Sequence, residues 1–373
     1  MRVNGTVARG YEQVRREFAA VVAAEPDPGA QLAVHVDGRL VVDLWAGDGV
    51  TGDSLHGLYS SAKGAAHLVV ALLAQDGVLD LDERVARYWP EFAAEGKDRL
   101  TLRELLAHRS GVIGVDGGLT VAELADDRLL AARLAGQRPF WEPGTAYGYH
   151  AFVIGALTGE VVRRATGRSI QELYEERVRA PYGLDFYLGL PAEQEGRYVP
   201  VRPSLADRPQ PDPRSLTGIA FNVPTDLVAF ANTRAVRALG PASSGSVGNA
   251  RGLSGMYAAA LDLLRPATVA EFAEVRWRGT DLVTGERDHF ALGFEAQGVR
   301  YPFLGADAFG HSGAVGAQAF ADPRSGIAYG YTRRRFPDAG GGGAPENDRL
   351  AAAVVRAAAE NRDGGDEKPL LAG

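Results

Sequence analysis

The chain has 373 residues, of which 46% are hydrophobic and 23% are charged, and its formal net charge is −7. This is an ordinary globular composition, and the length suits two domains or one large domain with an inserted lobe. The acidic balance argues against a nucleic-acid partner. Because the chain has no cysteine, disulfides, thiolate nucleophiles and cysteine-based zinc sites are excluded.

Targeting signals are also missing from the sequence. The N-terminal stretch lacks the apolar core and the cleavage site of a signal peptide. No uncharged apolar stretch reaches the roughly 18 residues that a membrane span needs. We therefore expect a cytoplasmic protein without a membrane partner.

The first predicted element is an amphipathic helix, because apolar residues recur at helical spacing within residues 8–24. The stretch "QLAVHVDGRLVVDLWAG" then contains two β-rich runs around Asp37-Gly38, which is a strong hairpin signal. Residues 60–76 are apolar on nearly every side. Such a helix belongs at the centre of a fold.

Residues 80–200 have mainly helical patterns, and residues 200–215 form a proline-rich surface excursion. Helical patterns follow near 224–235 and 252–264. Strand-like runs then return at "HFALGFEAQ", "AVGAQAFADP" and "SGIAYGYTRR", and "PENDRLAAAVVRAAAENR" predicts a closing helix.

Strands at both ends and helices between them predict an α/β (α+β) fold, in which an antiparallel sheet built from both termini is flanked by helices and carries an inserted helical lobe. Residues 1–80 and 280–361 would form the sheet domain and residues 81–279 the mainly helical domain. Residues 362–373 would be a flexible tail. We expect a cleft where the lobe meets the sheet.

One lysine of the central helix has an unusual setting. Only three of the 40 basic residues are lysines, and Lys97 and Lys368 lie in polar sequence, whereas Lys63 lies in an apolar segment. Burial favours the neutral form of a lysine, which could then accept the proton of Ser60, three residues earlier on the same helix face. The alternative is a Ser60 helix cap followed by a lysine whose amine reaches solvent.

Two further stretches accompany this Ser-x-x-Lys pair. "WEPGTAYGYHAFVIGALTGEVVRRATGRSI" contains Tyr149, and "FGHSGAVGAQAFADPRSG" contains His311-Ser312-Gly313 at the start of a predicted strand. The three pieces, in this order, resemble the serine β-lactamase and penicillin-binding-protein superfamily, most closely class C β-lactamases and family VIII carboxylesterases. "GVLDLDERVARYWPEF" and "TLRELLAHRSG" are similar to the same family, and the resemblance covers residues 10–335.

The resemblance implies a β-lactamase/transpeptidase-like fold and a role for each matching residue. Ser60 would be the acylated nucleophile, Lys63 its proton partner and Tyr149 the shuttle that carries a proton to the leaving group. The family's oxyanion hole consists of two backbone N–H groups, which here map to Ser60 and Ala314. Such donors can be worth about 2.7–4 kcal/mol each in the transition state.

The strand motif Lys-Thr-Gly of the family corresponds to His311-Ser312-Gly313. The small Gly313 would let the strand lie against substrate. His150, next to the tyrosine, completes the predicted substrate contacts. Two departures matter, because the family's asparagine is replaced by Ala151 and its lysine by His311, which would be largely neutral near pH 7.

Both departures weaken the case for a carboxylate-bearing β-lactam as substrate. The resemblance therefore favours a carboxylesterase-type hydrolase of small esters. The main alternative is a transacylase that moves an acyl group to an amine or alcohol acceptor in secondary metabolism. β-Lactamase or D-amino-acid peptidase activity, and a catalytically silent binding or scaffold protein, are further hypotheses.

Other motifs carry less weight. "GDGVTG" fits a dinucleotide-binding pattern, but it follows a hairpin rather than opening a βαβ unit. "GHSGA" resembles a nucleophile elbow, whose histidine must follow the serine, and His311 is the last histidine of the chain. No histidine spacing indicates a metal site. We expect a small-molecule acyl donor as partner, without cofactor or metal, and the sequence leaves the oligomeric state open.

Overall fold

The computed structural model describes residues 2–207, 209–223, 225–338 and 342–363. Seven strands of the described chain form one antiparallel sheet in the order β1-β3-β2-β10-β9-β8-β7, and three more form a small sheet in the order β4-β6-β5. The strands are β1 Asn4–Val7, β2 Gly29–Val36, β3 Arg39–Gly47, β4 His56–Tyr59, β5 Phe186–Leu188, β6 Ser246–Gly248, β7 Glu295–Ala296, β8 Phe309–Ser312, β9 Gln318–Asp322 and β10 Ile327–Arg333.

Helices fill most of the sequence between the two strand-rich ends. The α-helices are α1 Glu12–Ala23, α2 Ala62–Gln75, α3 Val85–Tyr88, α4 Leu102–Leu106, α5 Val121–Ala125, α6 Asp127–Ala135, α7 Ile154–Thr166, α8 Ile170–Tyr174, α9 Ala180–Tyr182, α10 Leu216–Ala220, α11 Leu227–Asn232, α12 Arg234–Leu239, α13 Ala250–Leu263, α14 Pro266–Ala273, α15 Gln297–Arg300 and α16 Glu346–Asp363. Short 3-10 segments cover Pro90–Gly96 and Ala192–Arg197, and one π-helical turn covers Glu175–Arg179.

The large sheet is built from both ends of the chain, as predicted. β2 pairs with β10 over seven residues of each strand, so that the N-terminal hairpin continues the C-terminal one. The N-terminal hairpin turns at Asp37 and Gly38, whose φ angles of 48° and 75° are both positive. Two positive φ angles define a type I′ turn, which matches the twist of the flanking strands.

The two faces of the large sheet carry different residues and different helices. Phe320 and Tyr329 belong to the apolar cluster that α1 and α16 cover. The alternate positions hold Ala319, Ala321 and Ala328, which belong to the cluster that contains α13. Because alternate residues of a strand point to opposite faces, small residues on one face let α13 pack closely on the sheet.

Helix α2 is the central element. Its residues from Ala62 to Leu73 are all buried, and it contacts α7, α8, α13, α14 and β8. This agrees with the apolar pattern predicted for residues 60–76, and it places the N-terminus of α2 between the large sheet and the helices inserted between its halves.

Some predicted elements differ from the structure. The run "HFALGFEAQ" forms only the two-residue strand β7, and β1 and the small sheet had no prediction because strands of three or four residues show too little alternation. Helix α13 lies within the segment predicted as the helical domain but packs on the sheet; the domain limits stay a prediction. The predicted tail, residues 362–373, begins within α16, which ends at Asp363, and the rest of it lies outside the described residues. Within the described residues, no helix has the length and hydropathy of a membrane span.

Candidate active site

Ser60 lies in a sharp turn between β4 and α2. It directly precedes Ser61, the N-cap of α2, so Ser60 and Lys63 lie at the N-terminal end of the central helix. The preceding Tyr59 has a φ angle of 49°, a conformation that costs energy for a residue with a side chain and is often found at functional sites. Its hydroxyl donates to the Leu227 carbonyl at 2.7 Å, which helps to hold the turn.

The three side chains predicted to carry the chemistry meet at one point. Lys63 Nζ lies 3.1 Å from Ser60 Oγ, and the Tyr149 hydroxyl donates to the same Ser60 Oγ at 2.8 Å. Lys63 Nζ also lies 4.8 Å from the centroid of the Tyr149 ring. The hydroxyl of Ser60 therefore has a proton acceptor and a proton donor within hydrogen-bond distance.

The hydrogen bonds of Lys63 fit an uncharged amine. Its Nζ donates to the carbonyl of Ala151 at 2.6 Å and to the carbonyl of Ser243 at 2.8 Å. A neutral amine has two N–H groups and one lone pair, so that two carbonyls leave the lone pair for the Ser60 hydroxyl. Complete burial holds the pKa of Lys63 well below its usual range, although the charge of Glu295 acts in the opposite direction.

Uncharged histidines surround this lysine. Burial lowers the pKa of His67 to about 3 and that of His311 to about 4, and it holds the pKa of His108 well below its usual range. His67 Nδ1 lies 2.8 Å from the carbonyl of Lys63 itself. At neutral pH these imidazoles are uncharged, so they neither repel nor attract the ammonium form of the lysine, and burial determines the direction of its pKa shift.

Tyr149 is fixed by its ring and by its backbone. The ring stacks on Phe290 with a centroid distance of 5.1 Å and an interplanar angle of 7°. Its backbone N–H donates to Asp281 Oδ1 at 3.1 Å. Burial raises the pKa of the phenol strongly, so that Tyr149 stays protonated and can act as a donor.

The motif His311-Ser312-Gly313 ends strand β8, whereas the sequence predicted it at the start of a strand. The His311 ring is buried, with Nδ1 2.8 Å from the Ser312 carbonyl and 3.3 Å from Glu295 Oε1. Gly313 lies so close to the turn that contains Ser60 that a Cβ atom there would be 2.2 Å from the Leu58 carbonyl. Any larger residue at this position would displace the strand from Ser60.

The backbone N–H groups of Ser60 and Ala314 are candidates for an oxyanion hole. Neither group donates a hydrogen bond to another described residue. Both residues line the same cavity. Two free N–H donors beside a nucleophile can stabilise negative charge that develops on a carbonyl oxygen.

His150 does not join these residues. It is completely buried, with Nδ1 2.6 Å from the Gly148 carbonyl and Nε2 2.6 Å from Ser110 Oγ. Its position supports the backbone next to Tyr149 rather than contacting substrate.

Lys97 also differs from expectation, because it is buried and donates to the Gln137 carbonyl at 2.7 Å, although its sequence context is polar.

Ser60 and Tyr149 open into a cavity of about 990 Å³. The proline-rich segment of residues 200–215 contributes Pro203 and Pro211 to the cavity wall. Glu295, a buried acid that also lines the cavity, was not predicted as a site residue; its only sequence signal is a single carboxylate within the apolar run "HFALGFEAQ". The apolar lining includes Phe221, Leu227, Val228, Val283, Phe290 and Phe336. Within the described ranges, no group of three or more histidine, aspartate or glutamate side chains could hold a metal ion.

Known proteins are similar to this chain over nearly its whole length. The structure is similar to that of EstA from Arthrobacter nitroguajacolicus Rue61a, at 40% identity and a TM-score of 0.91, covering 97% of this chain and 100% of that one. A family VIII carboxylesterase structure is 35% identical with a TM-score of 0.88, covering 96% and 100%. The curated relative "Esterase/beta-lactamase LipL" of Mycobacterium tuberculosis is 29% identical, covering 90% of this chain and 83% of the relative.

The sequence profile of the family Beta-lactamase matches residues 18–353, a range that contains the turn of Ser60, Tyr149 and the end of β8. The match and the fold agree with the resemblance inferred from the motifs. The chain therefore belongs to the β-lactamase family.

Proposed function

We propose that the protein is a serine carboxylesterase that hydrolyses small esters through an acyl-enzyme at Ser60. The observation that carries this proposal is that a buried amine, whose pKa burial lowers, and a buried phenol both contact the Ser60 hydroxyl, at 3.1 and 2.8 Å, in the wall of one cavity. The esterase names of the relatives EstA and LipL support the same reaction class.

The geometry suggests how the reaction proceeds. Lys63 accepts the Ser60 proton while Oγ attacks the ester carbonyl, and the N–H groups of Ser60 and Ala314 stabilise the resulting oxyanion. Tyr149 then donates its proton to the leaving alcohol and is reprotonated through Lys63. Water attacks the acyl-enzyme in the second half of the reaction, with the same groups working in reverse.

The role of Lys63 as base predicts how activity depends on pH. The active form is the neutral amine, so kcat/KM should rise with pH through the lowered pKa of Lys63 and then level off. Tyr149 should cause no loss on the alkaline side, because its pKa is raised. Measuring kcat/KM for a neutral ester between about pH 5 and pH 9 tests this, and a flat profile would contradict an amine base.

Acyl transfer to an amine or alcohol is a second candidate function. The cavity of about 990 Å³ is near the upper end of the range for small-molecule sites and leaves room for an acceptor beside a small acyl group. Hydrolysis and transfer share the acylation step and differ in the group that attacks the acyl-enzyme.

The two functions can be separated with p-nitrophenyl acetate. For a hydrolase, we expect acetate as the product even when small amines or alcohols are added, with unchanged partitioning. For a transacylase, the acetylated acceptor should appear at the expense of acetate as its concentration rises. Failure to release p-nitrophenol in either setting would count against both functions.

A further inference from the structure

One wall of the cavity contains polar and charged side chains that have no role in the proposed ester hydrolysis. We propose that Glu295 and Ser312 form a subsite that selects esters whose leaving alcohol carries a hydrogen-bond donor, either an ammonium or a hydroxyl group, and that disfavours those carrying a carboxylate. This proposal rests on the proposed esterase function and adds a substrate class to it.

The hydroxyl proton of Ser312 is already committed to Glu295. Ser312 Oγ donates to Glu295 Oε1 at 2.5 Å, and the Ser312 backbone N–H donates to the same oxygen at 3.1 Å. A serine hydroxyl has one proton but two lone pairs. Since Ser312 also lines the cavity, it offers substrate only acceptor lone pairs.

Glu295 adds negative charge behind this acceptor. Its side chain is 4% exposed, and its Oε2 accepts a hydrogen bond from Gln297 Nε2 at 2.9 Å. Burial alone would raise its pKa, but His311 and His289 hold that pKa well below its usual range. The carboxylate is therefore ionised at neutral pH, and a charge in such a buried place is weakly screened.

Further charged groups line the same wall as Glu295. Among the described residues that line the cavity, Arg300 is the one that is always positively charged. Its Nη2 donates a hydrogen bond to the Gly343 carbonyl at 2.9 Å. Glu286 adds a second carboxylate, 3.4 Å from His289 Nε2. Burial lowers the pKa of His289, but the hydrogen bond and charge of Glu295 and the charge of Glu286 raise it overall, so this ring shares the two carboxylates with Arg300. The selectivity therefore comes from the Ser312 acceptor and the Glu295 carboxylate directly behind it, not from the net charge of the wall.

The position of Tyr149 places this wall beside the leaving alcohol. The Tyr149 ring lies 6.1 Å from the His311 ring, next to Ser312 in the chain, and it stacks on Phe290. The His289 ring contacts the same Phe290 at 4.9 Å. A phenol that protonates the leaving oxygen must face it, and Tyr149, Ser312 and Glu295 line the same cavity, so a substituent on the leaving alcohol can reach Ser312 and Glu295.

The test compares four phenyl acetates that differ only in the meta substituent: ammoniomethyl, hydroxymethyl, methyl or carboxylate. Each kcat/KM is divided by the rate constant for hydroxide hydrolysis of the same ester, which removes intrinsic differences in reactivity. The corrected value for the ammoniomethyl ester should exceed that for the carboxylate ester by roughly tenfold or more. The hydroxymethyl ester should exceed the methyl ester.

Two variants assign the selectivity to these residues. Glu295→Gln should bring the ammoniomethyl-to-carboxylate ratio close to one, and Ser312→Ala should remove the advantage of the hydroxymethyl ester over the methyl ester. Glu274→Gln is the matched control, because it removes one carboxylate from an exposed ion pair with Arg276 outside the cavity. Labelling of Ser60 by a fluorophosphonate reports whether each variant keeps an intact nucleophile.

The outcomes separate the subsite from the enzyme function. Equal corrected rates for all four esters in the wild type overturn the subsite while leaving the esterase function in place. An unchanged ratio in a Glu295→Gln protein that still reacts with the fluorophosphonate overturns it as well. If the Glu295→Gln protein no longer reacts with the fluorophosphonate, the test rests on Ser312→Ala, and an unchanged preference of that variant for the hydroxymethyl ester overturns the proposal. Failure of the wild type to hydrolyse any of the four esters overturns the proposed function itself.

Discussion

The Ser60→Ala variant is expected to lose ester hydrolysis by at least about 10⁴-fold while keeping its fold. No neighbouring group can replace the missing hydroxyl. Ser61 is buried, and its Oγ lies where a Cβ atom on Gly313 would be only 3.1 Å away, beneath the strand rather than in the cavity. Tyr149 stays protonated because burial raises the pKa of its phenol, so it is a poor nucleophile.

Fluorophosphonate labelling followed by peptide mapping checks this result directly. The wild type should carry the adduct on Ser60, and Ser60→Ala should carry none. Ser61→Ala is the matched control: it removes the adjacent serine hydroxyl, for which no hydrogen-bond partner is found among the described residues, and it should still label. An adduct that persists in Ser60→Ala would show that the nucleophile is elsewhere and would reject the mechanism.

The convergence of Ser60, Lys63 and Tyr149 could be predicted because their three stretches, in this order, resemble one family, whereas the local contexts alone left a helix cap and a solvent-reaching lysine as the alternative. A lysine in an apolar segment, a serine one turn earlier and a tyrosine before another apolar helix are visible without a structure. The pairing of both chain ends in one sheet was also predictable, since the Asp37-Gly38 hairpin and the C-terminal strand runs have clear turn and strand signals.

The groups that hold the amine of Lys63 could not be predicted. They are the backbone carbonyls of Ala151 and Ser243, which lie 88 and 180 positions away in the chain. A backbone carbonyl has the same chemistry in every residue, so the sequence gives no sign of its use. Ala151 illustrates this, because its methyl side chain suggested a lost substrate contact, whereas its carbonyl accepts a hydrogen bond from Lys63 Nζ.

Burial of charged side chains was similarly difficult to infer. Lys97 lies in the polar stretch "AEGKDRL" yet is buried against the Phe92 ring, with Nζ 5.2 Å from the ring centroid. Glu295 lies in an apolar run and is buried among partners from other segments. Local composition describes the neighbours of a residue along the chain, and tertiary contacts decide whether its charge meets water or protein.

The Lys63→Arg variant gives the second large effect, and it tests the chemistry of the amine rather than its presence. We expect kcat/KM to fall by at least about 10³-fold, because a guanidinium keeps its proton and cannot accept one from Ser60. Its larger planar head also cannot place one lone pair at 3.1 Å from Ser60 Oγ while donating to the two carbonyls.

The same substitution at the other buried lysine provides the control. Lys97 is equally buried but lies away from the cavity, so Lys97→Arg carries a comparable packing cost without touching the proton transfer. Thermal unfolding of both variants measures that cost, and kcat/KM per folded molecule should fall only for Lys63→Arg. A Lys63→Arg protein with near-normal turnover would mean that Ser60 loses its proton to another group, because a residue that is always protonated cannot be the base.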